Sequence, residues 1–288
     1  PPRRFADGGS LQDALKKKKV SESWTWTEPL LQIATDVAQG LAYLHSTTFY
    51  DEVSGSIQDT VLHRDLKPGN VLLTSTWAAK VADFGTSKAY GVDLGAETVS
   101  ERLNFVSRAE NKSHIIIMLI LLFQMTMAGT PIYMAPEVVR GERYNRSSDV
   151  YGFAIILLAM GCEKGDAFAE FVKAVEQNRK FRTSFSADLT EIQEHSSINI
   201  MKYVADFSVR PNLFASSFKN MPDTIKNLIA SNWDDRAKNR MSFLQITVLL
   251  NSSIRSELEA GAKELQEQKK KTEEEKLEEN KKYISAAR

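Results

Sequence analysis

The sequence predicts an α+β chain, mainly α, in which a few short strands frame one polar loop. Three observations carry that reading. Leu30, Ile33, Ala34, Val37, Leu41 and Leu44 recur at helical spacing and make a single buried stripe. Asp149 to Met160 is apolar nearly all round, so a helix there has to be central. Val61-Leu62, Val71-Leu72-Leu73 and Ala79-Lys80-Val81-Ala82 have strand length, and the first two enclose Asp65, Lys67 and Asn70.

Bulk composition narrows the function classes. The 288 residues are 42% hydrophobic, enough for a sizeable core in one large domain or two small ones. Lys+Arg and Asp+Glu balance at 37 each, so no net field draws in nucleic acid or an acidic membrane. No aromatic-basic pattern supports a nucleic-acid binder either. The single cysteine, Cys162, excludes a disulfide framework and points to a reducing, cytoplasmic setting. It closes an apolar run, where a buried inert thiol is expected. The longest apolar run, Ile115 to Phe123, is too short for a membrane span of about 20 residues. The chain starts at Pro1-Pro2 without a methionine, and a fragment is expected.

Taken in order, Asp7-Gly8-Gly9-Ser10 is a turn, with Ser10 or Asp7 placed to cap a helix from Leu11 to about Lys19. The run Lys16 to Lys19 suits the negative end of the helix dipole and reads as a solvated helix end. Thr27-Glu28-Pro29 opens a longer helix, with Pro29 in its first turn, which ends near His45-Ser46. Thr47 to Thr60 is polar and reads as a loop. Thr86 to Met127 reads as irregular and contains an uncharged block around Ile115, an aggregation hazard unless buried. Ser148 is placed to cap the central apolar helix. Ala167 to Gln177 is amphipathic, Arg179 to Asp206 is ambiguous, Asp223 is placed to cap a helix through Leu228, and Met241 to Leu258 is a further helix. Beyond about Ser256 the composition turns to Glu, Lys and Gln. Leu258, Leu265, Leu277 and Ile284 do not sustain a heptad, so a solvated helix or disordered tail is expected, able to meet another helix.

The chemistry lies between Val61 and Leu73. A carboxylate, a cation and an amide occupy one short loop, and a second carboxylate, Asp83, follows the next strand. Phosphoryl transfer needs such a set: one group to orient a hydroxyl, one to neutralise phosphate charge and two to hold a metal ion.

His63-Arg64-Asp65-Leu66-Lys67-Pro68-Gly69-Asn70 and Asp83-Phe84-Gly85 are followed in order by Gly129-Thr130-Pro131, Ala135-Pro136-Glu137, Asp149-Val150-Tyr151, Trp233 and Arg240. This ordered set resembles the C-terminal lobe of a eukaryotic protein kinase, over about residues 1–256, with 257–288 as the tail. Gly8-Gly9-Ser10-Leu11, Asp149-Val150-Tyr151 and Trp233 look most like the tyrosine-kinase-like group of serine/threonine kinases. The resemblance implies ATP and magnesium. Asp65 would orient the attacking hydroxyl, Lys67 would stabilise the transferring phosphoryl, and Asn70 and Asp83 would hold the metal. Ser10 would touch the ATP ribose and Leu72 the adenine. Arg64 would receive a phosphate placed at Ser100, Ser107, Thr126 or Thr130. Glu137 and Arg240 would form a buried ion pair, and Asp149 would brace the catalytic loop. Asp-Leu-Lys-Pro-x-Asn and Thr130 imply serine or threonine in a protein as acceptor.

Two departures qualify the resemblance. None of the 14 glycines stands in a G-x-G-x-x-G pattern, and no Val-Ala-x-Lys strand precedes Phe5. The N-terminal lobe is therefore expected to be absent, and the 288 residues alone to have little kinase activity. The stretch between Gly85 and Gly129 is also long for the family, with an insertion expected at about 101–124. The competing expectation is a catalytically inactive, kinase-like interaction module. The intact Asp65, Lys67, Asn70 and Asp83 favour the enzyme.

Overall fold

The described part of this computed structural model comprises residues 7–17, 24–51, 56–58, 60–83, 88–90, 131–142, 144–162, 165–183 and 197–286. Strand β1 (Gly9–Ser10) turns directly into helix α1 (Leu11–Lys16), and the Ser10 hydroxyl accepts the Asp13 N–H at 3.1 Å as its cap. The helix stops three residues short of Lys19, with Lys17 already extended at ψ 115°. Further turns would stack like charges at helical spacing, which is unfavourable.

Helix α2 (Leu30–Ser46) buries Leu30, Leu31, Ile33, Ala34, Val37, Ala38, Leu41 and His45. Leu44 is only half-buried, and Pro29 stands just outside the helix instead of in its first turn. Six strands follow: β2 (Phe49–Asp51), β3 (Ser56–Gln58), β4 (Thr60–Leu62), β5 (Val71–Leu73), β6 (Ala79–Val81) and β7 (Lys88–Tyr90). They make three small antiparallel sheets, ordered β1-β5-β6, β2-β3 and β4-β7. Two of these correct the sequence reading. Thr47–Thr60 contains the β2-β3 hairpin, and Lys88–Tyr90 pairs with β4 inside a stretch expected to be irregular. Strands of three residues are too short to display period-two alternation.

The remaining helices are α3 (Pro136–Val139), α4 (Ser147–Gly161), α5 (Ala167–Thr183), α6 (Ser197–Phe207), α7 (Asp223–Asn232), α8 (Phe243–Leu249) and α9 (Arg255–Ala286). Helix α4 is the axis of the core: every residue from Ser148 to Met160 is buried. Ser148 does not cap it, because it already lies inside the first turn; the cap position belongs to Arg146, which makes no side-chain cap bond, and Asn145 Oδ1 just before it accepts the Ser147 N–H at 2.9 Å. A Cβ on Gly152 would stand 3.2 Å from Leu66 O and 3.3 Å from Tyr133 O. A side chain there would push these backbones back by a few tenths of an ångström.

Helix α5 runs six residues past Gln177, and α6 accounts for the end of the ambiguous polar stretch. Asp223 pairs with Lys226 at 2.9 Å and makes no cap bond; the cap position belongs to Pro222. Helix α8 begins with a Ser242–Gln245 capping box and passes through a π-turn (Leu250–Ile254) into α9. Along α9, Leu265 and Leu277 remain exposed. Arg240 ties the late helices to α3: its Nη1 and Nη2 donate to Glu137 Oε1 and Oε2 at 2.7 and 2.8 Å, with both residues buried. Cys162 is buried, and burial pushes its thiol pKa up, so it stays protonated. Among the described residues no helix is long and apolar enough to cross a membrane.

Candidate active site

Strand β4 ends at Leu62, and the chain crosses His63–Lys67 to a 3₁₀ turn at Pro68–Asn70 that opens β5. Leu62, His63 and Leu66 are buried, which pins one side of this crossing and leaves Arg64 and Asp65 partly accessible.

The crossing is held from below by Asp149, in the first turn of α4. Its Oδ2 accepts the His63 N–H and its Oδ1 the Arg64 N–H, each at 2.9 Å, and His45 Nε2 lies 2.8 Å from Oδ2. An anion is favoured there, at the positive end of the helix dipole. Arg64 has φ 71°, a left-handed conformation that a side chain tolerates poorly. The Asp149 bond fixes it.

Above this brace three side chains converge. Lys67 Nζ lies 2.7 Å from Asp65 Oδ2. Asn70 Nδ2 donates to Asp65 O at 2.8 Å and to Asp65 Oδ2 at 3.0 Å. Among the described residues Asp65 Oδ1 takes no hydrogen bond, so one carboxylate oxygen is fixed and the other is left for a further donor.

Asp83 arrives from β6. The Ala82 N–H donates to Asn70 O at 2.8 Å, and His63 Nε2–H donates to Ala82 O at 2.9 Å. The residue before Asp83 is thus bonded on both sides to the crossing. Asp83 itself is exposed and has φ 65°. Phe84, Gly85, Gly129 and Thr130 lie outside the described residues, as do Ser100, Ser107, Thr126 and the stretch 101–124.

Ser10 and Leu72 face each other in the β1-β5 ladder. The Ser10 hydroxyl is engaged within its own helix start, donating to Asp13 Oδ2 at 2.6 Å. Leu72 is half-buried between the buried Val71 and Leu73. Arg64 is half-buried, with its guanidinium 6.0 Å from the Tyr144 ring centre.

Two roles escaped the sequence reading. From sequence His45 reads only as a residue that caps or packs at a helix end, and His63 only as part of its motif. Both brace the loop, His45 through a partner 104 residues away, which no local pattern discloses.

The donor set fits magnesium. Asn70 spends its amide nitrogen on Asp65 and keeps its carbonyl oxygen, and Asp83 offers an exposed carboxylate; both are hard oxygen donors. Among the described residues no group of three or more His, Cys, Asp or Glu forms a metal cage. An ion held by these two residues would complete its shell with phosphate oxygens and water.

Comparison with known proteins gives a concordant result. A family model described as "Protein kinase domain" matches residues 4–250. The chain is similar to the probable serine/threonine-protein kinase drkB of Dictyostelium discoideum, 33% identical over 149 residues, which is 52% of the chain and 16% of that protein. It is similar to a probable LRR receptor-like serine/threonine-protein kinase of Arabidopsis thaliana, 33% identical over 54% of the chain and 14% of the relative. It is also similar to the RGS domain-containing serine/threonine-protein kinase A of Dictyostelium discoideum, 29% identical over 250 residues, covering 87% of the chain and 16% of the relative. The chain therefore matches only about a sixth of the length of these proteins.

Proposed function

This chain belongs to the protein kinase domain family, and from that premise we propose that it carries the catalytic loop of an ATP-dependent serine/threonine protein kinase. The observation that carries this reading is the convergence of Lys67 Nζ and Asn70 Nδ2 on Asp65 Oδ2, at 2.7 and 3.0 Å. Relatives named as serine/threonine kinases and the Lys67-Pro68 pair support the acceptor class.

The roles follow from the contacts. Asn70 holds the Asp65 side chain in one rotamer, which presents Oδ1 to an acceptor hydroxyl. Asp65 orients that hydroxyl and accepts its proton. A carboxylate is a weak base near its ordinary pKa of about 4, so its contribution is mainly positional. Lys67 supplies positive charge beside the acceptor, where the transferring phosphoryl carries negative charge. Magnesium bound with ATP would supply the remaining charge neutralisation. Asn70 Oδ1 and the Asp83 carboxylate would hold it; Ser10 and Leu72, paired across β1 and β5, would contact ribose and adenine.

In the finer reading, residues 1–256 are a C-terminal kinase lobe of the tyrosine-kinase-like group, with an insertion at about 101–124, and 257–288 are a helical tail. The setting is cytoplasmic. The absence of a G-x-G-x-x-G pattern in the 288 residues supports a low activity for them alone.

Two measurements test this. Titration calorimetry of the chain with a non-hydrolysable ATP analogue should show magnesium-dependent binding that Asp83→Asn and Asn70→Ala each weaken by tenfold or more (~1.4 kcal/mol). Binding unaffected by either change, or no binding, favours the inactive interaction module. Phosphoryl transfer to a generic protein should be slow and confined to serine and threonine; turnover like that of an ordinary kinase refutes the low-activity reading, and phosphotyrosine refutes the acceptor class.

A further inference from the structure

A cleft of about 310 Å³ adjoins the catalytic loop. Its walls come from α1 (Gln12, Leu15, Lys16), from Pro68 in the loop's own 3₁₀ turn, from Ile132 and Tyr133, and from Asp166 and Phe168 at the start of α5. Leu15, Pro68, Ile132 and Phe168 supply its smaller, apolar part, and the larger part of the lining is polar. The rim is charged. The Asp166 carboxylate is occupied as a helix cap, accepting the Ala169 N–H at 3.1 Å. Lys16 is exposed and, among the described residues, makes no ion pair within 4 Å. Lys17 is exposed beside it, and Lys18 and Lys19 continue the run in sequence. The lysine run that reads in sequence as a solvated helix end therefore begins on the wall of this cleft.

We propose that the cleft receives the acceptor protein as an extended segment, with an apolar side chain inside and acidic side chains toward Lys16 and Lys17, so that the favoured substrate is a serine or threonine with acidic neighbours. The proposal rests on the kinase reading for the identity of Asp65 as the reacting centre. Pro68 is three residues from Asp65, at most about 11 Å along the chain. An extended segment advances about 3.3 Å per residue, so the part of it beside Pro68 lies within roughly three or four positions of the acceptor hydroxyl. Exposed charge pairs are weak one at a time, so selectivity is expected from Lys16 and Lys17 together and should fade with salt.

The test is fluorescence anisotropy of two labelled peptides on the 288-residue chain, each with one central serine and one leucine, the first flanked by aspartates and the second by lysines. The acidic peptide should bind about tenfold tighter at low salt, and Lys16→Glu should reduce its affinity roughly fivefold while leaving the thermal midpoint unchanged. Asp166→Asn, which keeps the cap, should improve it. Equal binding of the two peptides, preference for the basic one, no binding of either, or a preference untouched by Lys16→Glu overturns the proposal. The same peptides offered with magnesium-ATP separate the two readings. Acidic preference without any phosphoryl transfer leaves the cleft assignment standing and counts against the enzyme; transfer to serine without acidic preference does the reverse.

Discussion

The Asp149 carboxylate accepts the backbone N–H of Arg64 at 2.9 Å, across 85 residues of sequence, and holds a left-handed backbone at φ 71°. The same carboxylate takes the neighbouring N–H of His63. Asp149→Asn places an amide nitrogen against one of these donors. The expected cost is about 2–3 kcal/mol, since a buried N–H loses its acceptor. Urea unfolding measures the loss, and hydrogen exchange should become faster at the His63 and Arg64 amides. Unchanged exchange at both would rule out the brace.

Glu137 and Arg240 form a bidentate pair in which both residues are buried. Removing one partner strands the other charge, and Glu137→Gln or Arg240→Met should each cost about 3–5 kcal/mol. The double change should recover only part of that. Arg240 also donates to Asp234 O and Ser147 O, and the double change does not restore those bonds. A double-mutant cycle in urea reads the coupling directly.

Tyr151 is fully buried between the guanidinium groups of Arg210 and Arg240, whose centres lie 5.6 and 5.2 Å from its ring. Burial pushes its pKa up, while the two arginines pull it down. Its hydroxyl has no hydrogen-bond partner among the described residues. Tyr151→Phe keeps the ring over both cations and deletes an unsatisfied polar group. Stability should stay level or rise by about 1 kcal/mol. A fall of that size in the unfolding free energy would mean the hydroxyl has a partner after all.

The Asp7 carboxylate accepts the Ser75 backbone N–H at 2.7 Å, and that bond holds its pKa below the ordinary value of 3.8. A carboxyl depressed in the folded state stabilises the fold above its unfolded pKa and stops doing so as pH falls through its folded pKa. The stability of the wild-type chain should therefore drop more steeply than that of Asp7→Asn below about pH 4. Urea midpoints of the two proteins, followed from neutral to acid pH, should diverge at the neutral end and converge in acid.

The legible parts of the fold were those with long or dense patterns. Helices α2 and α4 show themselves through twelve or more residues of apolar spacing, and β5 and β6 through their place on either side of a turn. The β2-β3 hairpin was hidden because three polar-flanked residues per strand carry no periodicity. Caps are hard to place where a good capping residue sits one position inside the true boundary, as Asp223 does beside Pro222. At the site, Asp65, Lys67 and Asn70 lie within six residues, so their meeting is readable from spacing. The link from His45 to Asp149 spans 104 residues and depends on how α2 and α4 pack, which local sequence does not encode.

The two hydrogen bonds at Ala82, one to Asn70 O and one from His63 Nε2, have a mechanical consequence. The segment ending in Asp83 cannot slide along the His63–Asn70 segment by a register step without breaking both. The separation between the Asn70 and Asp83 backbones is therefore set like the jaws of a fixed caliper. A substitution at either position changes the atom offered to a ligand, and leaves the anchor points from which both side chains start where they are.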